Sequence, residues 1–173
     1  MLPVSGTIEE IRARLARVPE YDLEGLWAVG LEAPSKDHID AYGLYDRWRL
    51  QGRRPIIALY SYQHPWEYRI PRRYRSRRIA QAYRVALSFG MEVDYQGSRP
   101  TLRWSEECLR RYMLEHTLLH EIGHHVQFQQ RWRAGYCRWL PGSVKEQFAE
   151  DYAIRATRRR YRAPVTWPFA CRK

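Results

Sequence analysis

The segment from His116 to Val126, HTLLHEIGHHV, constrains this chain more than any other. Of the six histidines, four fall within ten residues: His116, His120, His124 and His125. Residues four apart on a helix stand one turn apart on the same face, so His120 and His124 can converge on one point. Leu118, Leu119, Ile122 and Val126 supply the apolar side that buries such a helix. Glu121 lies beside the histidine pair and out of line with it. That offset suits a carboxylate that must touch water at a metal ion without occupying the ion. The pattern His-Glu-x-x-His arises by chance in a chain this long about once in a few hundred cases, given average composition. Gly123 is unfavourable in a helix by about 1 kcal/mol against Ala, which points to a close neighbour between the two histidines.

Two histidines leave a catalytic zinc one protein ligand short of the usual three. No histidine follows His125, so the third ligand is sought among downstream acids. Ser143 can cap a helix running to about Tyr161, with Glu146 as its N3 acid. Glu146 and Glu150 share one face of it at a four-residue spacing. The 22-residue step from His124 to Glu146 leaves room to turn at Pro141–Gly142 and come back alongside. Helical phase alone does not choose between Glu146 and Glu150. Asp151 falls on another face and reads as a surface acid. His116 lies one turn before His120, where it lines the cleft, donates to a neighbour or packs. His125 points away from the pair, and His38 and His64 are isolated.

HEIGHH followed by EQFAED resembles the gluzincin zinc peptidases, over roughly residues 105–160. The resemblance implies an α+β, zincin-like catalytic domain: a short mixed sheet packed on an active-site helix and a following Glu helix. It implies one Zn2+ held by His120, His124 and Glu146, with Glu121 as general base and acid. Glu150 matches the acid that holds the imidazole of the first histidine. The implied activity is hydrolysis of peptide or protein substrates. Small gluzincins carry a Tyr just before the Glu helix, which makes Tyr136 the candidate oxyanion donor. Substrate in such enzymes lies extended along an edge strand, expected here at Ile56–Tyr62 or Met91–Tyr95. Some small gluzincins are blocked by their own terminal segment. Here Trp167 and Phe169 need cover, and Cys171 can place a thiolate on zinc, so latency is an expectation.

The remaining chain reads as one mixed helix-and-strand domain over 1–173, with 162–173 as an irregular tail. Thr7 and Glu10 form a capping box for a helix with Ile8, Ile11, Leu15 and Val18 on its apolar side. Leu23–Leu31 suggests a broken strand, and Asp37–Leu50 a helix burying Ile39, Tyr42, Leu44, Tyr45 and Trp48. Pro55–Tyr62 is the strongest strand. Residues 63–74 read as loop, Arg75–Phe89 as helix, Met91–Tyr95 as a short strand and Gly97–Pro100 as a turn. Ser105 caps a long helix reaching about Arg131.

Composition sets the outer limits. A hydrophobic share of 45% and an aromatic share of 14% exclude global disorder in these 173 residues. Net charge is +11, and no acid occurs from 68 to 91. Arg69, Arg72, Arg73, Arg75, Arg77 and Arg78 crowd that stretch among tyrosines, as a nucleic-acid-binding surface or a solvated face would. A nucleic-acid-associated basic protein is therefore the alternative class, and a zinc protein without activity a third. Three cysteines make no disulfide framework and favour a reducing cytoplasm. No signal-like start and no membrane span is expected.

Overall fold

Thr7 opens the first helix, α1 (Ile8–Leu15), through the expected reciprocal cap. Its hydroxyl accepts from Glu10 N–H at 3.2 Å, and Glu10 Oε2 accepts from Thr7 N–H at 2.7 Å. Ile11 and Val18 are buried, whereas Ile8 is 56% exposed. These features come from a computed structural model that describes residues 6–33, 42–50, 54–61, 66–69, 83–96, 100–135 and 140–161. Pro19 starts a second short helix, α2 (Glu20–Leu23), which takes only the first residue of the strand expected over 23–31. Gly25, at φ 74°, then turns the chain into strand β1 (Ala28–Glu32).

The largest departure from expectation is Gly43–Leu50, which is strand β2 and not the second half of a helix. Tyr42, Leu44, Tyr45 and Trp48 mimic helical spacing, but β-propensity and the sheet partner decide the outcome. That partner is β3 (Arg54–Tyr60), where Ile57 and Leu59 are fully buried. The sheet order is β1-β3-β2, with β1 parallel to β3 and β2 antiparallel to it. Ile57 is paired with Val29 on one side and Tyr45 on the other. The strand predicted at 55–62 is therefore central and cannot be an edge for substrate.

A second sheet has the order β4-β6-β5: β4 (Trp66–Arg69), β5 (Glu92–Asp94) and β6 (Thr101–Trp104). β4 falls inside the predicted loop, because its two prolines at 65 and 71 flank the strand and leave its ladder intact. β6 occupies four residues between the expected turn at Gly97–Pro100 and the Ser105 cap, too few to show a strand pattern. Of the predicted helix at 75–89, the described part is α3 (Arg84–Ser88), ended by Gly90 at φ 98°. Trp104 Nε1 donates to Tyr42 Oη at 3.1 Å, tying this sheet to the approach of β2.

Ser105 caps the long helix, its hydroxyl accepting from Cys108 N–H at 3.2 Å. The helix is α4 (Glu106–Tyr112), a π-helical turn (Met113–Thr117) and α5 (Leu118–Arg133). In the wider turn Leu118 N–H bonds back to Met113 O. Thr157 donates its hydroxyl to Glu115 O at 3.1 Å. The Glu115 carboxylate is buried against Arg14 of α1, with Arg111 Nε 3.4 Å away. The last helix, α6 (Gly142–Tyr161), begins one residue before Ser143, which sits in its first turn. Leu102, Leu109, Met113, Leu118, Leu119 and Ile122 are fully buried between the helices and the sheets. The architecture is mixed α+β. Among the described residues, no helix is long and apolar enough to cross a membrane.

Candidate metal centre

Three elements position the site. β2 lies along α5 so that same-face strand residues meet successive helix turns. Two strand residues advance about 6.6 Å, and four helix residues about 6.0 Å. Gly43 accordingly packs on Glu121, and Tyr45 on His125. A Cβ at Gly43 would lie 3.1 Å from Glu121 Cγ and 3.0 Å from Thr117 Cγ2, so the strand approaches there without a side chain. On the other side, α6 packs against α5 at Gly123 and Ala149. The neighbour anticipated for Gly123 is thus the backbone of α6.

His120 and His124 stand on α5 with ring centroids 4.8 Å apart and planes nearly perpendicular. Glu146 of α6 faces both: Oε2 is 3.2 Å from His120 Nε2, and Oε1 is 3.6 Å from His124 Nε2. Glu150, one turn further, lies on the opposite side of the His120 ring, with Oε2 3.5 Å from Nδ1. The two acids that helical phase left equivalent therefore serve different nitrogens of one imidazole.

The donor chemistry fits a zinc ion. One atom each from His120, His124 and Glu146 lie within 4.8 Å of one another. Two imidazole nitrogens and a carboxylate oxygen are a donor set that leaves one position of a tetrahedral ion open. One donor atom each from His116, His120 and Glu150 likewise lie within 4.8 Å of one another.

The electrostatics follow from these contacts. Burial alone lowers the His120 pKa, but hydrogen bonds to Glu146 and then Glu150 outweigh it and push it up to about 10. Hydrogen bonds from His120 and His124 hold Glu146 well below the usual carboxylate range. His116 first, and His120 next, bring Glu150 down to about 2. Glu121 is 7% exposed, and burial pushes its pKa up. The neighbouring histidines and the Tyr45 backbone N–H offset part of that rise.

The other histidine expectations resolve plainly. His125 points away from the pair, as expected, and is buried. Its Nε2 lies 2.9 Å from Glu24 O, and its Nδ1 3.2 Å from Tyr45 Oη. Burial lowers its pKa. His116 is buried beside Glu150, Nε2 to Oε2 3.3 Å, a link that crosses from α6 to the π-helical turn and that spacing along the chain does not indicate. Asp151 is exposed and accepts from Gln147 Nε2 at 3.0 Å. Tyr136, Cys171, His38, His64 and the arginines at 72, 73, 75, 77 and 78 lie outside the described residues, as does the 162–173 tail. Arg69 closes β4 in the backbone.

No family model, no curated protein and no solved structure matches this chain.

Proposed function

We propose that this protein is a zinc-dependent peptidase of gluzincin type, with His120, His124 and Glu146 as the ligands and Glu121 as the proton carrier. One observation carries the reading: the Nε2 atoms of both histidines face the Glu146 carboxylate, at 3.2 and 3.6 Å, with Glu121 buried beside them. A zinc ion held by that set supplies Lewis acidity toward water and the scissile carbonyl. The raised pKa of buried Glu121 makes it a better proton acceptor than a solvated carboxylate. It takes a proton from water as the water oxygen bonds to the carbonyl carbon. It then returns that proton to the amine nitrogen as the C–N bond breaks.

A strand edge beside the site supports peptide substrates. β3 is central, so the first expected substrate edge is replaced by β2, which among the described residues is an outer strand and lies beside Glu121. An extended peptide can add to that edge through main-chain hydrogen bonds. β5, the other expected edge, belongs to the second sheet.

The test is peptide hydrolysis by zinc-loaded wild type and E121Q over a mixed peptide library. Wild type should cleave, and E121Q should keep its zinc while losing on the order of 10²-fold or more in rate. Equal turnover by E121Q would remove the proton-carrier assignment. Zinc-loaded wild type that cleaves nothing would remove the peptidase reading.

A further inference from the structure

His116 is 6% exposed, yet its Nε2 stands 3.3 Å from Glu150 Oε2. The same carboxylate oxygen lies 3.5 Å from His120 Nδ1. One oxygen of Glu150 is thus held between two imidazoles one helical turn apart. The His116 ring is itself fixed by its neighbours. It stacks on Tyr112, with centroids 5.2 Å apart and planes 26° apart, and meets the Phe89 ring at 6.1 Å.

His120 belongs to both groups of potential metal donors. A ring that ligates one cation through each nitrogen has lost both N–H protons, so the two groups are not two ordinary sites. A neutral ring that gives Nε2 to an ion keeps its proton on Nδ1, and that N–H needs an acceptor. Glu150 Oε2 is the atom facing it. Glu150 also shares the α6 face of Glu146, so a carboxylate free to rotate there has a second option, the ion itself. A donor on its far side removes that freedom.

Resting on the zinc reading above, we propose that His116 is a positioning residue: it anchors Glu150 on the Nδ1 side of His120, fixing the tautomer and plane of that ligand and keeping Glu150 off the metal. His116 Nε2–H and His120 Nδ1–H both donate to Glu150 Oε2. Tyr112 and Phe89 hold the His116 ring in the plane that makes this possible. His116 touches neither the ion nor substrate.

The full-length chain tests this through zinc affinity, by competition with a chromophoric chelator, and through the visible spectrum of the cobalt(II) form. H116F keeps the ring stack and removes the donor, and H116Q restores an N–H. H116F should still bind one zinc, about tenfold more weakly, which lies at the low end for loss of an outer partner, with a changed cobalt spectrum. H116Q should recover most of the affinity. In an E150A background H116F should cost less than twofold, because the link is already cut. Wild-type affinity and spectrum in H116F would overturn the proposal, as would an undiminished loss in the E150A background or two zinc ions per wild-type chain. Should H116F fail to fold by circular dichroism, H116Q against H116M makes the same comparison. Wild-type protein that binds no zinc would instead sink the underlying metal reading.

Discussion

Gly123 and Ala149 bring the two helices of the candidate centre into backbone contact: a Cβ at 123 would lie 2.8 Å from Ala149 Cα and 3.0 Å from Ala149 O. The contact falls between His120 and His124 on one helix, next to His124, and between Glu146 and Glu150 on the other, next to Glu150. It therefore sets the distance across which the carboxylates reach the imidazoles. The unfavourable helix propensity of glycine is offset by that approach.

Gly123→Ala should consequently destabilise the protein, although alanine gains about 1 kcal/mol in helix propensity. Overpacking of this kind costs about 1–3 kcal/mol, and the obstacle here is main chain, which cannot rotate away. Zinc affinity should fall as well, because α6 carries Glu146 and Glu150 outward together. Urea unfolding and a metal titration measure the two effects. An unchanged midpoint with unchanged affinity would show that the helices have room to spare.

Gly43→Ala probes the opposite wall. The new Cβ would press on Glu121 Cγ at 3.1 Å and Oε1 at 3.2 Å. No metal-facing residue is moved directly, so zinc stoichiometry should stay at one while peptide hydrolysis falls at least tenfold. Atomic emission and turnover on the same preparation separate the two. Loss of zinc with hydrolysis per bound zinc intact would reverse this order.

The candidate ligands were legible because helical periodicity places them: His120, His124, Glu146 and Glu150 each follow from a four-residue step. Which nitrogen of His120 each acid faces was not, because it depends on which side of the ring α6 passes, a tertiary relationship set where Gly123 meets Ala149. The helix expected across 43–50 failed for a related reason. Leu44, Tyr45 and Trp48 satisfy a helical period, and the pairing of residues 43–46 with 56–59 of β3 makes the segment a strand. A glycine opening that segment was the available clue, since Gly43 meets Glu121 where a side chain would collide. The π turn left no sequence signal that periodicity detects. Its buried Glu115 has its partner Arg14 101 residues away.

E146A and E150A should part company in metal content. Removing Glu146 takes away the carboxylate facing both Nε2 atoms, so stoichiometric zinc should be lost at micromolar protein. Removing Glu150 leaves those donors and frees only the Nδ1 side, for an affinity loss of about 10–100-fold with one zinc still bound at saturation. Dialysis followed by metal analysis distinguishes them. Retained zinc in E146A with loss in E150A would exchange the roles of the two acids.

The pH dependence follows from the direction of the shifts. In the metal-free protein the His120 pKa is raised from 6.5 to about 10 by Glu146 and Glu150 acting against burial. A raised histidine contributes stability that is fully present below pH 6.5 and is lost as pH rises through about 10. Glu150, lowered from 4.5 to about 2, contributes stability present above pH 4.5 and lost as pH falls through about 2. The metal-free protein should therefore be most stable between these windows. Zinc must displace the His120 proton, so its apparent affinity should climb about tenfold per pH unit well past neutrality, up to the raised pKa. In a metal-free E146Q/E150Q variant both raising contacts are weakened, and the His120 pKa read by NMR titration should fall toward the ordinary histidine value. Chelator competition at half-unit steps from pH 6.5 to 9 reads the slope, and calorimetry in two buffers counts the proton released. An affinity already flat above pH 7 would mean that His120 is not held protonated by these acids.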